Sequence, residues 1–249
     1  MGALRLTFRA LWIVALLLLC VPLHYSWKLV GRPSPWPRRF LGWVGRAAGM
    51  RAEVTGRPLE RDVLFVANHE SWLDILLLAG ASGTAFVSKE EVARYPVIGW
   101  LARLNNTVFV ARSDRRGVRG QADQLRSALA TGQPVALFPE GTTDGGTEVL
   151  PFRASLLASL FPPLPGLRVQ PVAFHYGDAA AEIAWVGDEP GLANVTRVLS
   201  RRGTNRVRIE FLDPLDPLEA GDRKALAERS RAAIVAALSG PSGGRTDRL

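Results

Sequence analysis

The chain has 249 residues, 47% hydrophobic and 22% charged, a balance that excludes both a disordered chain and a polytopic membrane protein. Its formal excess of +8 is confined to one end: the first 52 residues carry eight basic side chains (Arg5, Arg9, Lys28, Arg32, Arg38, Arg39, Arg46, Arg51) and no acid, leaving 23 basic and 23 acidic residues in positions 53–249. The neutral body lacks the basic stripe a nucleic-acid-binding domain needs, while the leader suits an anionic surface.

From Ala10 to Val21 the leader runs without a polar residue, which is short for a span of about 20 apolar residues. A secretory signal is the rival reading, weakened because no A-x-A-like site follows. Cys20, the one cysteine, lies in this run, so no disulfide framework is expected. Between Ser34 and Met50, Trp36, Phe40, Trp43, Val44 and Ala47 fall on one helical face, with Arg38, Arg39 and Arg46 on the other flank. We expect residues 1–52 to form a two-helix element seated in or on one membrane leaflet, the alternative for the second helix being ordinary core packing.

The body, 53–239, alternates short β-branched runs with helical patterns. Strands are expected at 62–68, 84–88, 107–111, 134–140, 168–174, 182–187 and 206–212. A stripe of Val118, Ala122, Leu125 and Leu129 predicts one helix, and Leu226, Ser230, Ala233, Ile234 and Ala237 another. This order indicates a single α/β domain with a mixed, largely parallel sheet flanked by helices. Residues 240–249 read as a frayed tail.

Two blocks stand where strands end. In NHESWLD, Asp74 lies five residues after His69; a turn at Glu70–Ser71 would let the carboxylate reach one imidazole nitrogen, leaving the other free to accept a proton. The same spacing also suits a helix-capping Asp beside a satisfied strand-end histidine. In FPEGTT, Pro139 stops the ladder and sets Glu140, Gly141 and Thr142 at the sheet edge, where α/β folds bind ligands, although a plain strand-to-helix turn would look alike. Lys89 and Arg112 close two further strands and could hold a phosphate. Only three histidines are present, too few for a multi-histidine centre, so no metal is expected.

These blocks resemble the glycerophospholipid acyltransferases of the 1-acylglycerol-3-phosphate type. NHESWLD resembles their first signature and FPEGTT their third; Lys89, Glu91, Pro96 and Gly99, the strand Val108–Arg112, and Val169-Gln170-Pro171-Val172 fit between and after them, in order. The resemblance implies that His69, oriented by Asp74, deprotonates a lysolipid hydroxyl that attacks an acyl thioester of CoA or acyl carrier protein, with no cofactor and no acyl-enzyme. It implies that Arg112 and the Glu140–Thr142 turn bind the acceptor, Glu140 by holding hydroxyls or the arginine rather than phosphate. The acceptor expected first is 1-acyl-sn-glycerol-3-phosphate, giving phosphatidate; lyso-ornithine lipid is the alternative, and a non-catalytic lipid-binding protein of the same fold is the rival class. The expected location is the cytoplasmic face of the inner membrane. One departure stands out: Asn105–Asn106 replaces the glycine usual before the arginine-ended strand, and Asn accepts the same left-handed backbone.

Overall fold

A computed structural model describes residues 1–110, 125–130, 132–143, 145–146 and 148–240. Arg112, Val118 and Ala122 lie outside the described residues, as does the tail beyond Gly240. Among those described, α1 (Gly2–Leu29) and α2 (Trp36–Ala47) precede β1 (Met50–Thr55) and β2 (Val63–Ala67). Then come α3 (Leu73–Ser82), β3 (Ala85–Lys89), α4 (Pro96–Leu104), β4 (Val108–Val110), β5 (Val135–Leu137), β6 (Arg168–His175), α5 (Gly191–Ser200), β7 (Asn205–Phe211) and α6 (Arg223–Ser239).

The strands form one sheet in the order β1-β7-β6-β2-β5-β3-β4, parallel throughout except for the β6–β7 pair. This is the mixed, largely parallel sheet expected. β2 lies inside it, and all five of its residues are buried, as an apolar strand covered on both faces must be. One face packs Phe65, Phe174 and Val207 under Leu73, Leu77 and Val44; the other packs Leu64, Leu129 and Val169 against Leu157 and Leu226.

Two expectations about the body change. Residues 182–187 are not a strand: Ala180–Ile183 is a helical turn, and the chain then runs irregularly, burying Ile183 and Ala184. The strand Met50–Thr55 was not expected, because MRAEVT is charged and has only β7 beside it. The boundary expected at residue 52 therefore falls inside a strand of the sheet.

The leader is built into the domain. The apolar stripe of α2 faces protein: Phe40, Val44 and Gly45 are buried against α3, so the core-packing alternative describes this helix. The two helices cross where Gly42 meets Gly80, and a Cβ on Gly80 would stand 2.6 Å from the Gly42 Cα. Arg38 donates to the carbonyls of Gly80 and Ala81, satisfying the end of α3. Gly80→Ala should therefore destabilise the fold by roughly 1–3 kcal/mol, seen as a lower thermal midpoint. An unchanged midpoint would mean that the helices part without cost.

α1 buries Leu16, Cys20 and His24 and turns Phe8, Leu11, Trp12, Leu18 and Leu19 outward. It is long and apolar enough to cross a membrane, yet it lies against the protein. Arg5 Nε donates to Ser200 O at 2.9 Å; Arg9 donates to Leu199 O at 3.1 Å and Gly203 O at 3.0 Å. Two of the eight leader cations thus close the negative end of α5.

Candidate active site

The sheet's parallel strands deliver their carboxyl ends to one edge, so His69 (after β2), Glu140 (after β5) and Lys89 (end of β3) share that edge. α3 starts at Leu73, and its first turn carries Asp74, fully buried. The turn at Glu70–Ser71 brings the carboxylate back as the spacing suggested. His69 Nδ1 lies 2.8 Å from Asp74 Oδ2, which also accepts the backbone N–H groups of Glu70 (2.8 Å) and Ser71 (3.0 Å). Asp74 Oδ1 accepts the hydroxyl of Tyr176. A carboxylate acceptor assigns the imidazole proton to Nδ1 and leaves Nε2 as an acceptor, with no described residue bonded to it.

The ring is fixed on its other sides. It stacks on Phe138 with centroids 4.0 Å apart and planes 14° apart, and 17% of the side chain remains exposed. The backbone N–H of His69 donates to Glu140 Oε1 at 2.9 Å, and Glu140 Oε2 accepts from Leu150 N at 3.1 Å. Glu140 is itself buried, and both of these bonds are to backbone groups. Through these bonds it fastens the FPEGTT turn to the NHESWLD turn; the arginine expected beside it, Arg112, lies outside the described residues. The two blocks meet in one crevice.

The remaining expected residues are placed less centrally. Gly141 has a left-handed φ of +72°, and a Cβ there would come within 3.3 Å of the Arg153 guanidinium. Arg153 is therefore the described cation beside this turn. Thr142 is exposed, and so is Lys89, which does not line the cavity that holds His69. Asn106 has the expected left-handed backbone, φ 57°, while its side chain donates to Gln133 Oε1 at 3.1 Å.

Sequence reasoning missed Tyr176, Asn68 and Asn194. Burial first, and then Asp74, holds the Tyr176 phenol well above its usual range, so it stays a donor. Asn68 exchanges bonds with the Phe174 backbone, N to Oδ1 at 2.8 Å and Nδ2 to O at 3.2 Å, tying β2's end to β6. Asn194, fully buried on α5, accepts Trp72 Nε1 at 3.0 Å and donates to Glu189 at 2.7 Å. The segment 185–189 thereby braces the site. Trp185 N donates to Glu70 O at 3.0 Å, and hydrogen bonds from Arg197 and Asn194 hold the Glu189 pKa down to about 2.

His69 opens on a cavity of about 760 Å³ that continues past Tyr176 and His175 to Arg208, between the sheet and α6. His175 Nδ1 accepts from Arg208 Nη2 at 2.9 Å and Nε2 donates to Glu210 at 3.0 Å. Burial and then Arg208 push this imidazole below its usual range, against the pull of Glu210, which favours the neutral form that this pattern requires.

Residues 51–175 match the family model described as Acyltransferase. The chain is 35% identical to the lyso-ornithine lipid O-acyltransferase of Rhodobacter capsulatus, over 92% of this chain and 88% of the relative. It is 36% identical to the enzyme of that name from Pseudomonas aeruginosa, over 80% and 77%. Against the 1-acyl-sn-glycerol-3-phosphate acyltransferase of Neisseria meningitidis the identity is 32%, over 74% and 73%. The fold resembles that of the 1-acyl-sn-glycerophosphate acyltransferase of Thermotoga maritima, with a TM-score of 0.66 at 22% identity, covering 98% of this chain and all of that one.

Proposed function

Because the chain belongs to the acyltransferase family, we propose that it moves an acyl group from a thioester of CoA or acyl carrier protein to the hydroxyl of a lysolipid, with lyso-ornithine lipid as the acceptor. The observation that carries the chemistry is the His69–Asp74 pair: Nδ1 is held by a buried carboxylate, Nε2 has no described partner, and His69 lines the cavity. Nε2 takes the acceptor's proton as its oxygen attacks the thioester carbonyl, and the thiolate leaves; the proton on the imidazole can then neutralise it.

The acceptor follows from two things. Enzymes named for lyso-ornithine lipid match longer stretches of this chain than the 1-acylglycerol-3-phosphate enzyme of Neisseria does. The described lining of the cavity is also not cationic: three arginines face four glutamates, a net charge of −1 with neutral histidines. A headgroup that carries both a carboxylate and an ammonium suits such a mixed lining. This reading replaces 1-acyl-sn-glycerol-3-phosphate, the acceptor first expected. The outward apolar face of α1 seats the protein on a membrane, on the cytoplasmic face where acyl thioesters are available.

The test offers the purified full chain one labelled acyl thioester with lyso-ornithine lipid, lysophosphatidate or lysophosphatidylcholine. Saturable transfer to lyso-ornithine lipid is expected. Saturation by lysophosphatidate alone would overturn the acceptor, and thioester loss independent of any lysolipid would overturn acyl transfer itself.

A further inference from the structure

Beyond His69 the second face of the sheet is left partly uncovered, and its side chains are charged. The register places Glu53, Arg208 and His175 in one row across β1, β7 and β6, with Glu210 beside them on the same face. α6 shields β6, and its Val235 and Leu238 wall the cavity opposite this row. Such a face is unusual for the interior of an α/β domain, because charged groups near a protein wall cost free energy unless something pairs with them.

Arg208 is the group least provided for. Only its Nη2 donates a hydrogen bond among the described residues, to His175. Its Nε is buried without a hydrogen-bond partner, and the nearest carboxylate oxygen, on Glu210, is 3.7 Å away. The other two arginines of the cavity are engaged: Arg231 donates to the carbonyls of Val149 and Leu150, and Arg206 pairs with Glu53 at 3.1 Å. At the His69 end the charge reverses. Glu70 lines the cavity with Oε1 held by Asn68 at 3.1 Å, and Glu148 lines the same cavity. Between them Gly146 keeps the wall open, since a Cβ there would stand 2.9 Å from Glu70 Oε2.

We propose that this cavity seats a zwitterionic amino-acid headgroup, its carboxylate on Arg208 and its side-chain ammonium between Glu70 and Glu148. The proposal rests on the lyso-ornithine reading above and assigns that acceptor its binding residues. An ornithine whose α-nitrogen is in an amide keeps one carboxylate and one δ-ammonium, and so is neutral overall. Arg208 Nη1 has no described hydrogen-bond partner and is not buried. A guanidinium fork takes a carboxylate through two parallel bonds, which a phosphate-free acceptor can supply and a simple amine cannot. Arg208 and His69 line the same cavity, so one acceptor can meet both.

Binding can be read apart from turnover. Nα-acetylornithine, N-acetylputrescine (the same amide and amine without the carboxylate), free ornithine and glycerol 3-phosphate are titrated calorimetrically into the detergent-solubilised full chain. The unmodified protein should bind Nα-acetylornithine at least about tenfold more tightly than any of the other three. Arg208→Met should erase that preference, and Arg208→Lys, which keeps the charge and loses the fork, should retain part of it. The acceptor KM for lyso-ornithine lipid should rise on the order of tenfold in Arg208→Met while the thioester KM stays put. No binding by the unmodified chain, equal binding of N-acetylputrescine, or an Arg208→Met chain that binds normally overturns the site. Free ornithine binding as well as the acetylated probe would overturn a lipid headgroup as its occupant. Failure to acylate lyso-ornithine lipid, with the acetylornithine preference intact, would instead overturn the acceptor reading and leave the site standing.

Discussion

His69→Ala is expected to lower acyl transfer by about two to four orders of magnitude while leaving the fold in place. The imidazole is the only described group that combines an open acceptor nitrogen with a place on the cavity wall beside a buried carboxylate. Its loss would not strand Asp74, which still accepts from Glu70 N, Ser71 N and the Tyr176 hydroxyl. Nor would it loosen the two turns, because the Glu140 bond is made to the His69 backbone. The measurement is transfer of a labelled acyl chain, with a thermal melt beside it. A variant that melts normally and still turns over within tenfold of the parent would end the general-base account.

Asp74→Asn should cost a comparable factor by a different route, and should also weaken the fold. Four donors converge on the Asp74 carboxylate, three of them on Oδ2. An amide offers one oxygen and brings an NH2 that needs acceptors of its own. Placed toward His69, that NH2 would draw the ring proton from Nδ1 to Nε2 and turn the base into a donor, a tautomer error worth about four orders of magnitude where it has been measured in a hydrolase triad. The same placement would oppose the two buried N–H groups that share Oδ2, and unsatisfied buried groups cost about 1–3 kcal/mol each; at Oδ1 the NH2 would instead meet the Tyr176 hydroxyl. Both activity and thermal midpoint should therefore fall, whereas His69→Ala lowers activity alone. Wild-type turnover in Asp74→Asn would reduce the carboxylate to a helix-terminal cap.

The strands that were legible in the sequence are the apolar ones. VLFVA and VALFPE stand between turn residues, and burial on both faces leaves them no polar alternation to obscure. Met50–Thr55 carries charge because its second face meets the cavity rather than a helix, so it reads as a surface segment. EIAWVG has the composition of a strand, but Trp185 is spent on Glu70 and Glu189 instead of a ladder. The α2 stripe could not be resolved from spacing alone, because Trp and Phe on one face suit a lipid headgroup region and a protein core equally. The deciding residue, Gly80, lies on another helix. The His69–Asp74 contact was legible because it is local, five residues long. Tyr176 was not, being brought to the same carboxylate across 102 residues by the pairing of β6 with β2.

The docking of α1 has a mechanical consequence. Its arginines hook the carbonyls at the end of α5, α5 holds Trp72 through Asn194, and Trp72 immediately precedes the helix that carries Asp74. No linker interrupts that series. A pull on the lipid-facing helix is borne by the wall of the catalytic crevice instead of being absorbed on the way. The anchor behaves less like a tether than like a keel, cast in one piece with the hull.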